Sequence, residues 1–215
     1  MTTTRDPSAP TTVDTRDRIL VAAANVLARR GFAEAKLREI ADLAAVRPPA
    51  VYYYFSSREE LLAEVLHTGQ QRVRLHVASA LAALPAGTDH ETRIAAACAA
   101  HLSIQTAMAD FARAVSRNIA HAHGPAHEQL HRESEAYHDL WRGLLSAAAA
   151  DGAIRTDLDL STARMFVIGA LNGSTEWFHG TDDTERLIEQ AQALVRHGLR
   201  PPRPTRPHRS TKGSP

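Results

Sequence analysis

Aromatic residues make up only 5% of the chain, too few for a β-sandwich, whose strands draw on aromatic and β-branched side chains. There is one cysteine, Cys98, so an internal disulfide is excluded and a reduced, buried thiol is expected. No run approaches the ~18 apolar residues that a membrane span needs. The opening MTTTRDPSAPTTV also lacks the apolar segment of a signal peptide. No membrane partner is expected, and the cytoplasm is the expected compartment. Catalytic signatures are missing as well: no glycine-rich phosphate loop, no G-x-S-x-G, no H-E-x-x-H and no supported Cys/His pairing. Neither an enzyme nor a cofactor is therefore expected. His123, His127 and His131 are spaced by four, but Gly124-Pro125 interrupts the helix beside them, and no cysteine or close carboxylate completes a metal set. They read as a solvated, pH-sensitive face.

What the sequence has is alanine and leucine. Of its 215 residues 44% are hydrophobic, enough for a substantial core, and the composition suits close-packed helices. The predicted fold is all-α, about nine helices. The net charge of +1 hides a gradient: residues 14–60 carry +1, residues 61–200 carry −4, and the tail from Pro201 carries +4. One end is thus better suited than the other to approach a polyanion. Residues 1–13, rich in Thr, Ser and Pro, read as a disordered arm, and the Pro/Arg-rich residues 201–215 as a disordered tail.

Between these ends the punctuation is regular. Asp14 or Thr15 can cap a first helix with Ile19, Ala22, Val26 and Leu27 on one face, and Gly31 is expected to end it as a left-handed C′ residue. A short helix from Leu37 to Ala44 follows, then another opened by Pro48 and Pro49, since a first-turn proline lacks only an N–H that has no partner. Ser56 and Ser57, each three residues before a glutamate, form overlapping capping boxes for a long helix stopped by Pro85. Further helices are predicted at about 90–109, 110–121, 126–150, 159–179 and 182–198, the last capped by Asp182.

The informative segment is REIADLAAVRPPAVYYYFSSREEL, residues 38–61. Ala41 is small where two helices must cross, and Val46 and Val51 plug the angle between them, which is the packing logic of a helix-turn-helix. Lys36, Arg38, Arg47, Tyr52, Tyr53, Tyr54 and Arg58 surround it with groups suited to phosphates and bases. The wider run from Ile19 to Leu66 resembles the DNA-binding head of the TetR family. It shares the IL-x-AA-x-x-L opening, the G-F after the first helix, the E-I-A-x-x-A-x-V turn, V-Y-x-Y-F, and the S-x-R-E-x-L start of the fourth helix. The resemblance implies a three-helix head over residues 14–60 and a helical ligand-binding and dimerisation body over 61–200.

Carried over position by position, the resemblance places Arg38 where base edges are read, and Arg47, Pro48 and Ala50 where bases or thymine methyls are touched. Tyr52 and Tyr54 fall at phosphate or groove-wall positions, and Arg58 at a phosphate clamp. Lys36 and Arg47 depart from the family pattern, replacing neutral helix caps with cations that the helix dipole disfavours unless phosphate sits nearby. In the body, the last two helices are the implied dimer pair. Phe166, Val167, Ala170, Leu171 and Ser174 come from one and Leu187, Ile188, Ala191, Leu194 and Val195 from the other, with Gly169 and Gly173 allowing close approach. Filling a monomer core is the alternative use of the same residues.

The stretch ADGAIRTDLDLSTARMFVIGALNGSTEWFHG is similar to TetR-type regulators of fatty-acid or steroid degradation that sense acyl-CoA thioesters. It implies a cavity lined by Phe111, Val115, Tyr137, Trp141, Leu145 and Trp177, with Arg113, Arg117 or Arg142 available to CoA phosphates. The expected function is that of a dimeric repressor on a palindromic operator, its two heads spaced by ~34 Å. A small hydrophobic effector releases it by shifting the long fourth helix. The rival reading is a helical protein-interaction module that has lost DNA binding.

Overall fold

The computed structural model describes residues 14–121, 124–178 and 183–201, leaving aside the side chains of 121–127. Within those residues it is all-helical: α1 (Thr15–Glu34), α2 (Leu37–Leu43), α3 (Pro48–Tyr54), α4 (Arg58–Ala82), α5 (His90–Ala107), α6 (Ala109–Asn118), α7 (Gly124–Ala150), α8 (Leu160–Trp177) and α9 (Thr184–Leu199), with a 3₁₀ turn at Ile119–His121. The arm, most of the tail, His123, the His127 side chain and Asp182 lie outside the described residues.

Local chemistry sets the boundaries. Asp14, Ser57, Asp89, Asp159 and Asp183 each accept a backbone N–H of the first turn, satisfying donors that the helix itself cannot. Asp183, not Asp182, caps α9, bonding the Arg186 N–H at 3.1 Å. At α4 the capping box is offset: Ser57 receives the Glu60 N–H at 3.0 Å, while the Glu60 carboxylate takes the Ser56 N–H at 2.8 Å. Gly31 does break α1, but with φ 74° and ψ 172°, an extended positive-φ conformation essentially restricted to glycine rather than the left-handed helical one. One more helical turn follows it before the chain enters α2.

Two apolar cores form. The first joins Ile19, Leu20, Ala23 and Leu27 of α1 to Ile40, Ala41, Val51 and Phe55, and draws in Leu61, Leu62, Val65 and Leu66 of α4 together with Phe111, Ala114 and Leu130. The second gathers Val77, Cys98, Leu102, Tyr137, Trp141, Leu145, Ile154, Val167, Ile168 and Leu171. Helix α4 therefore belongs to both, its first half in the head and its second in the body, and α6 packs against α1, α4 and α8. No described helix is long and apolar enough to cross a membrane.

Candidate nucleic-acid interface and effector cavity

The α2–α3 corner begins with Ala44 and a positive-φ residue, Ala45 at φ 54°, and is closed by the Val46 N–H on the Ala41 carbonyl at 3.0 Å. Ala41 and Val51 are fully buried beneath it. That packing turns the other side of α3 to solvent. Tyr53 is 84% and Tyr52 57% exposed, whereas Tyr54 is half-buried and meets the Tyr53 ring edge-on at 5.0 Å. Lys36, Arg38, Arg47 and Pro48 are exposed on the same corner, and Ala50 is half-buried. Lys36 and Arg47 occupy N-cap positions without any side-chain cap bond. Lys36, Arg38, Arg47, Pro48, Tyr52 and Tyr53 are thus the exposed members of the set on α2, α3 and their N-caps.

Arg58 is turned elsewhere. Its Nε donates to the Ala35 carbonyl at 2.6 Å, its Nη2 to the Phe32 carbonyl and to that of Ala33 at 3.2 Å, and its guanidinium lies 5.4 Å from the Phe32 ring centroid. These are the orphan carbonyls at the end of α1, where a cation is favoured. Arg58 staples α4 to α1 and so fixes the head's geometry from within.

A cavity of about 240 Å³ lies between α4, α5, α6, α7 and α8. Gly69, Gln70 and Val73 line it from α4, Ala112, Val115 and Ser116 from α6. Its polar wall is made by His101 and Gln105 of α5, Tyr137 of α7 and Asn172 of α8. The Tyr137 hydroxyl is hydrogen-bonded to His101 Nδ1, and Gln105 Nε2 donates to Asn172 Oδ1 at 2.9 Å. Complete burial pushes the His101 pKa down to about 4, an effect the nearby Gln105 and Asn172 amides only partly offset, and burial raises the Tyr137 phenol. Both groups are neutral at pH 7. No hydrogen bond within the protein reaches His101 Nε2, Gln105 Oε1 or Gln70 Oε1.

Of the six side chains proposed to line a ligand site, Val115 and Tyr137 do so. Phe111 packs into the first core, Trp141 and Leu145 are sealed in the second, and Trp177 is 62% exposed on α8. Sequence reasoning missed His101, Gln105, Gln70 and Asn172. The available signal was a pair of polar residues four apart, His101 and Gln105, in the otherwise apolar face of α5. The arginines suggested for CoA phosphates have partners in the protein: Arg117 with Glu176 at 3.0 Å, Arg113 with Asp110 at 3.8 Å, and Arg142 with Asp139.

The suggested dimer residues divide between two faces. Val167, Leu171 and Ser174 are buried in the protomer, and Leu187, Ile188, Ala191 and Val195 pack on its second core. Phe166 and Leu194, each 75% exposed, and Ala170 point outward. With Met165, Gly169, Gly173 and Trp177, helical spacing assembles an apolar outer stripe on α8. No cluster of metal-ligating side chains occurs among the described residues.

Helix α6 ties the two halves together. Its Val115 and Ser116 line the cavity, while Asn118, almost fully buried, accepts the Phe32 N–H at 2.8 Å and donates to the Ala114 carbonyl at 2.9 Å. Asn25 of α1 donates to Asp110 at 2.8 Å, and Arg117 Nη1 to the Ala28 carbonyl at 3.3 Å.

A helix-turn-helix head, a helix shared by head and body, and a cavity against that junction are the architecture of a helical transcriptional regulator. A family profile described as "Bacterial regulatory proteins, tetR family" matches residues 19–65, and one described as "Tetracyclin repressor-like, C-terminal domain" matches 87–199, more than half of the chain. The chain belongs to the TetR family of transcriptional regulators. It is 26% identical over 193 residues to the HTH-type transcriptional repressor KstR2 of Rhodococcus jostii (strain RHA1), covering 87% of this chain and 92% of that protein. The fold is similar to that of the ketosteroid transcriptional regulator KstR2 of Mycobacterium tuberculosis, with a TM-score of 0.78 at 19% identity over 89% of this chain and 98% of that one. It is similar also to FadR from Bacillus subtilis, solved in complex with stearoyl-CoA, with a TM-score of 0.67 at 18% identity over 85% of this chain and 98% of FadR.

Proposed function

We propose that this regulator is a cytoplasmic homodimer that binds a palindromic operator through α3 and releases it when a small effector with an apolar part, of the acyl-CoA class, enters the cavity. The single observation that carries the reading is the double duty of α6, which walls the cavity with Val115 and Ser116 and holds α1 through Asn118 and Asp110. A ligand that pushes α6 displaces the helix on which the head is mounted. The coupling needs only a difference in affinity between the two arrangements, typically ~1–3 kcal/mol. This adds α6 to the expected shift of the long fourth helix, α4.

The DNA-reading set is Arg38, Arg47, Pro48, Ala50, Tyr52 and Tyr53, with Lys36 and Tyr54 beside it. Arg58 acts indirectly, by holding α1 against α4. For the dimer, the α8 stripe supplies the argument. A Cβ at Gly169 or Gly173 would meet nothing within 4 Å, so packing inside the protomer gives no reason for two residues that weaken a helix by ~1 kcal/mol each. Close approach of a second α8 gives one. The acyl-CoA class draws support from the stearoyl-CoA complex of FadR, with the acyl portion in the cavity.

The test is selection of genomic fragments at ~150 mM salt by the purified protein and by an Arg38→Ala/Tyr53→Ala variant. Enrichment of a two-fold site by the wild type alone is expected. Affinity for that site should fall by ~10³ or more between 50 and 200 mM salt for six or so phosphate contacts. Equal enrichment by the variant would overturn the assignment of α3, and no enrichment by either would favour the protein-interaction alternative.

A further inference from the structure

Buried polar atoms normally find partners, because an unpaired donor or acceptor in a low-dielectric interior forfeits the hydrogen bond it had with water. Three such atoms belong to residues that line this cavity. His101 is fully buried and Gln105 is 6% exposed, yet His101 Nε2 and Gln105 Oε1 make no hydrogen bond within the protein, nor does the buried Oε1 of Gln70. Two of the three are amide carbonyls and can only accept. The third depends on its proton. His101 Nδ1 is paired with the Tyr137 hydroxyl; in the neutral tautomer whose Nδ1 accepts that hydroxyl's hydrogen, Nε2 carries the ring hydrogen and donates.

The wall also lacks something. None of the described residues lining the cavity carries a formal charge. A carboxylate placed inside would lose its hydration and meet two carbonyl oxygens and one neutral donor, His101 Nε2, but no cation, an unfavourable exchange. The space is limited too: at ~30 Å³ for a water-sized group, about 240 Å³ holds roughly eight such groups.

We propose that the cavity selects a neutral, hydroxyl-bearing apolar group and rejects the corresponding carboxylate. The hydroxyl donates to the carbonyl of Gln105 or Gln70 and accepts from His101 Nε2, and the apolar remainder lies against Val73, Ala112 and Val115. This rests on the cavity being the effector site. It narrows the effector to one whose enclosed part is an alcohol, with any charged portion left outside.

Four probes of one length decide it: 1-heptanol, 2-heptanone, heptanoate and heptane, titrated against the full chain at pH 7 by ligand-observed NMR. The alcohol should bind at least about tenfold more tightly than the carboxylate, the ketone falling between them because it can only accept. Gln105→Leu and Gln70→Leu together should remove most of the alcohol's advantage over heptane, with helicity and thermal unfolding confirming a folded protein. An Ala112→Phe variant should abolish binding of every probe by filling the space. Heptanoate binding as tightly as heptanol, yet lost in Ala112→Phe, would overturn the proposal while leaving the cavity as the effector site. An alcohol preference that survives both glutamine substitutions would overturn it as well. Heptanol binding that persists in Ala112→Phe, or no binding by any probe, would overturn both the proposal and the effector reading.

Discussion

The head and the body of this protein treat buried polarity in opposite ways. Residues 14–60 bury no polar side chain at all, and their core is aliphatic and alanine-rich. In the body, His101, Gln105, Asn118 and Ser174 are buried. All the described side-chain atoms that are buried without a partner, on Gln70, His101, Gln105, His138, Trp141 and Arg164, lie there too. A surface that reads DNA needs rigid presentation, and a dry, closed core with arginines bridging α1 and α4, Arg58 and Arg16, provides it. A receptor needs space and unsatisfied groups for its ligand, and the body keeps both at the expense of stability. Asn118 is the exception that joins them. It is buried, it belongs to the body, and its hydrogen bonds are made with α1 and α6.

Of the head's side chains, Arg58 should be among the costliest to remove. Arg58→Ala removes charge-assisted hydrogen bonds to the Phe32, Ala33 and Ala35 carbonyls together with the stacking on Phe32. It should lower stability by about 3 kcal/mol, since bonds to a charged group contribute ~1.5–3 kcal/mol each and are not additive. Arg38→Ala, at an exposed position, should change stability by less than about 0.5 kcal/mol while weakening operator binding. Denaturant unfolding alongside DNA titration separates the two. An Arg58→Ala protein of unchanged stability and impaired DNA binding would return Arg58 to the role of phosphate clamp.

A second test concerns the body alone. The His101 pKa is held at about 4 against 6.5 for the free side chain. Between those values the unfolded chain binds a proton that the folded one refuses, so stability falls as pH drops through that window and is unaffected above it. From pH 7 to pH 5 the loss attributable to this group is about 2 kcal/mol, at ~1.4 kcal/mol per pH unit. Unfolding curves of the wild type and His101→Gln should diverge in slope below pH 6.5 and run parallel above. Parallel curves throughout would mean that His101 becomes protonated in the folded state without penalty.

How far the sequence spoke differs between the regions for the same reason. Head features are local: a cap at Asp14, a glycine at 31, a tight corner at Ala44–Arg47 and a staggered serine pair are all read within a few neighbours. The intramolecular bonds of Arg58 were not legible, because its partners, Phe32 to Ala35, are more than twenty residues back and invisible to spacing. The cavity is worse placed still. Its polar wall is built from Gln70, His101, Gln105, Tyr137 and Asn172, on four helices, and no local pattern announces that they meet. Aromatic content was a poor guide to it, since Trp141 is core and Trp177 is surface. On α8 the period was right but the face was mixed, because Val167, Leu171 and Ser174 sit on the inner side of the helix whose outer side carries Phe166 and Ala170.

The smallest expected effect is the most direct measure of what the body's openness costs. In the absence of effector, Gln70 keeps a buried carbonyl oxygen that no group in the protein satisfies, and an unmet acceptor of this kind is worth ~1–3 kcal/mol when fully enclosed. The Gln70 side chain is only half-buried, so part of that penalty is already relieved. Leucine has nearly the same length and no polar atom. Gln70→Leu should therefore leave stability unchanged or raise it by up to about 1 kcal/mol in denaturant melts without ligand, whereas polar-to-apolar exchange at Asn118 should destabilise by about 1–3 kcal/mol, because its amide is in use. The two substitutions pull in opposite directions only if the body holds two kinds of buried polar group, one that serves the fold and one kept for a ligand. A loss of stability in Gln70→Leu as large as that in Asn118→Leu would place Gln70 with the first kind, leaving Gln105 as the cavity's one free acceptor among these two.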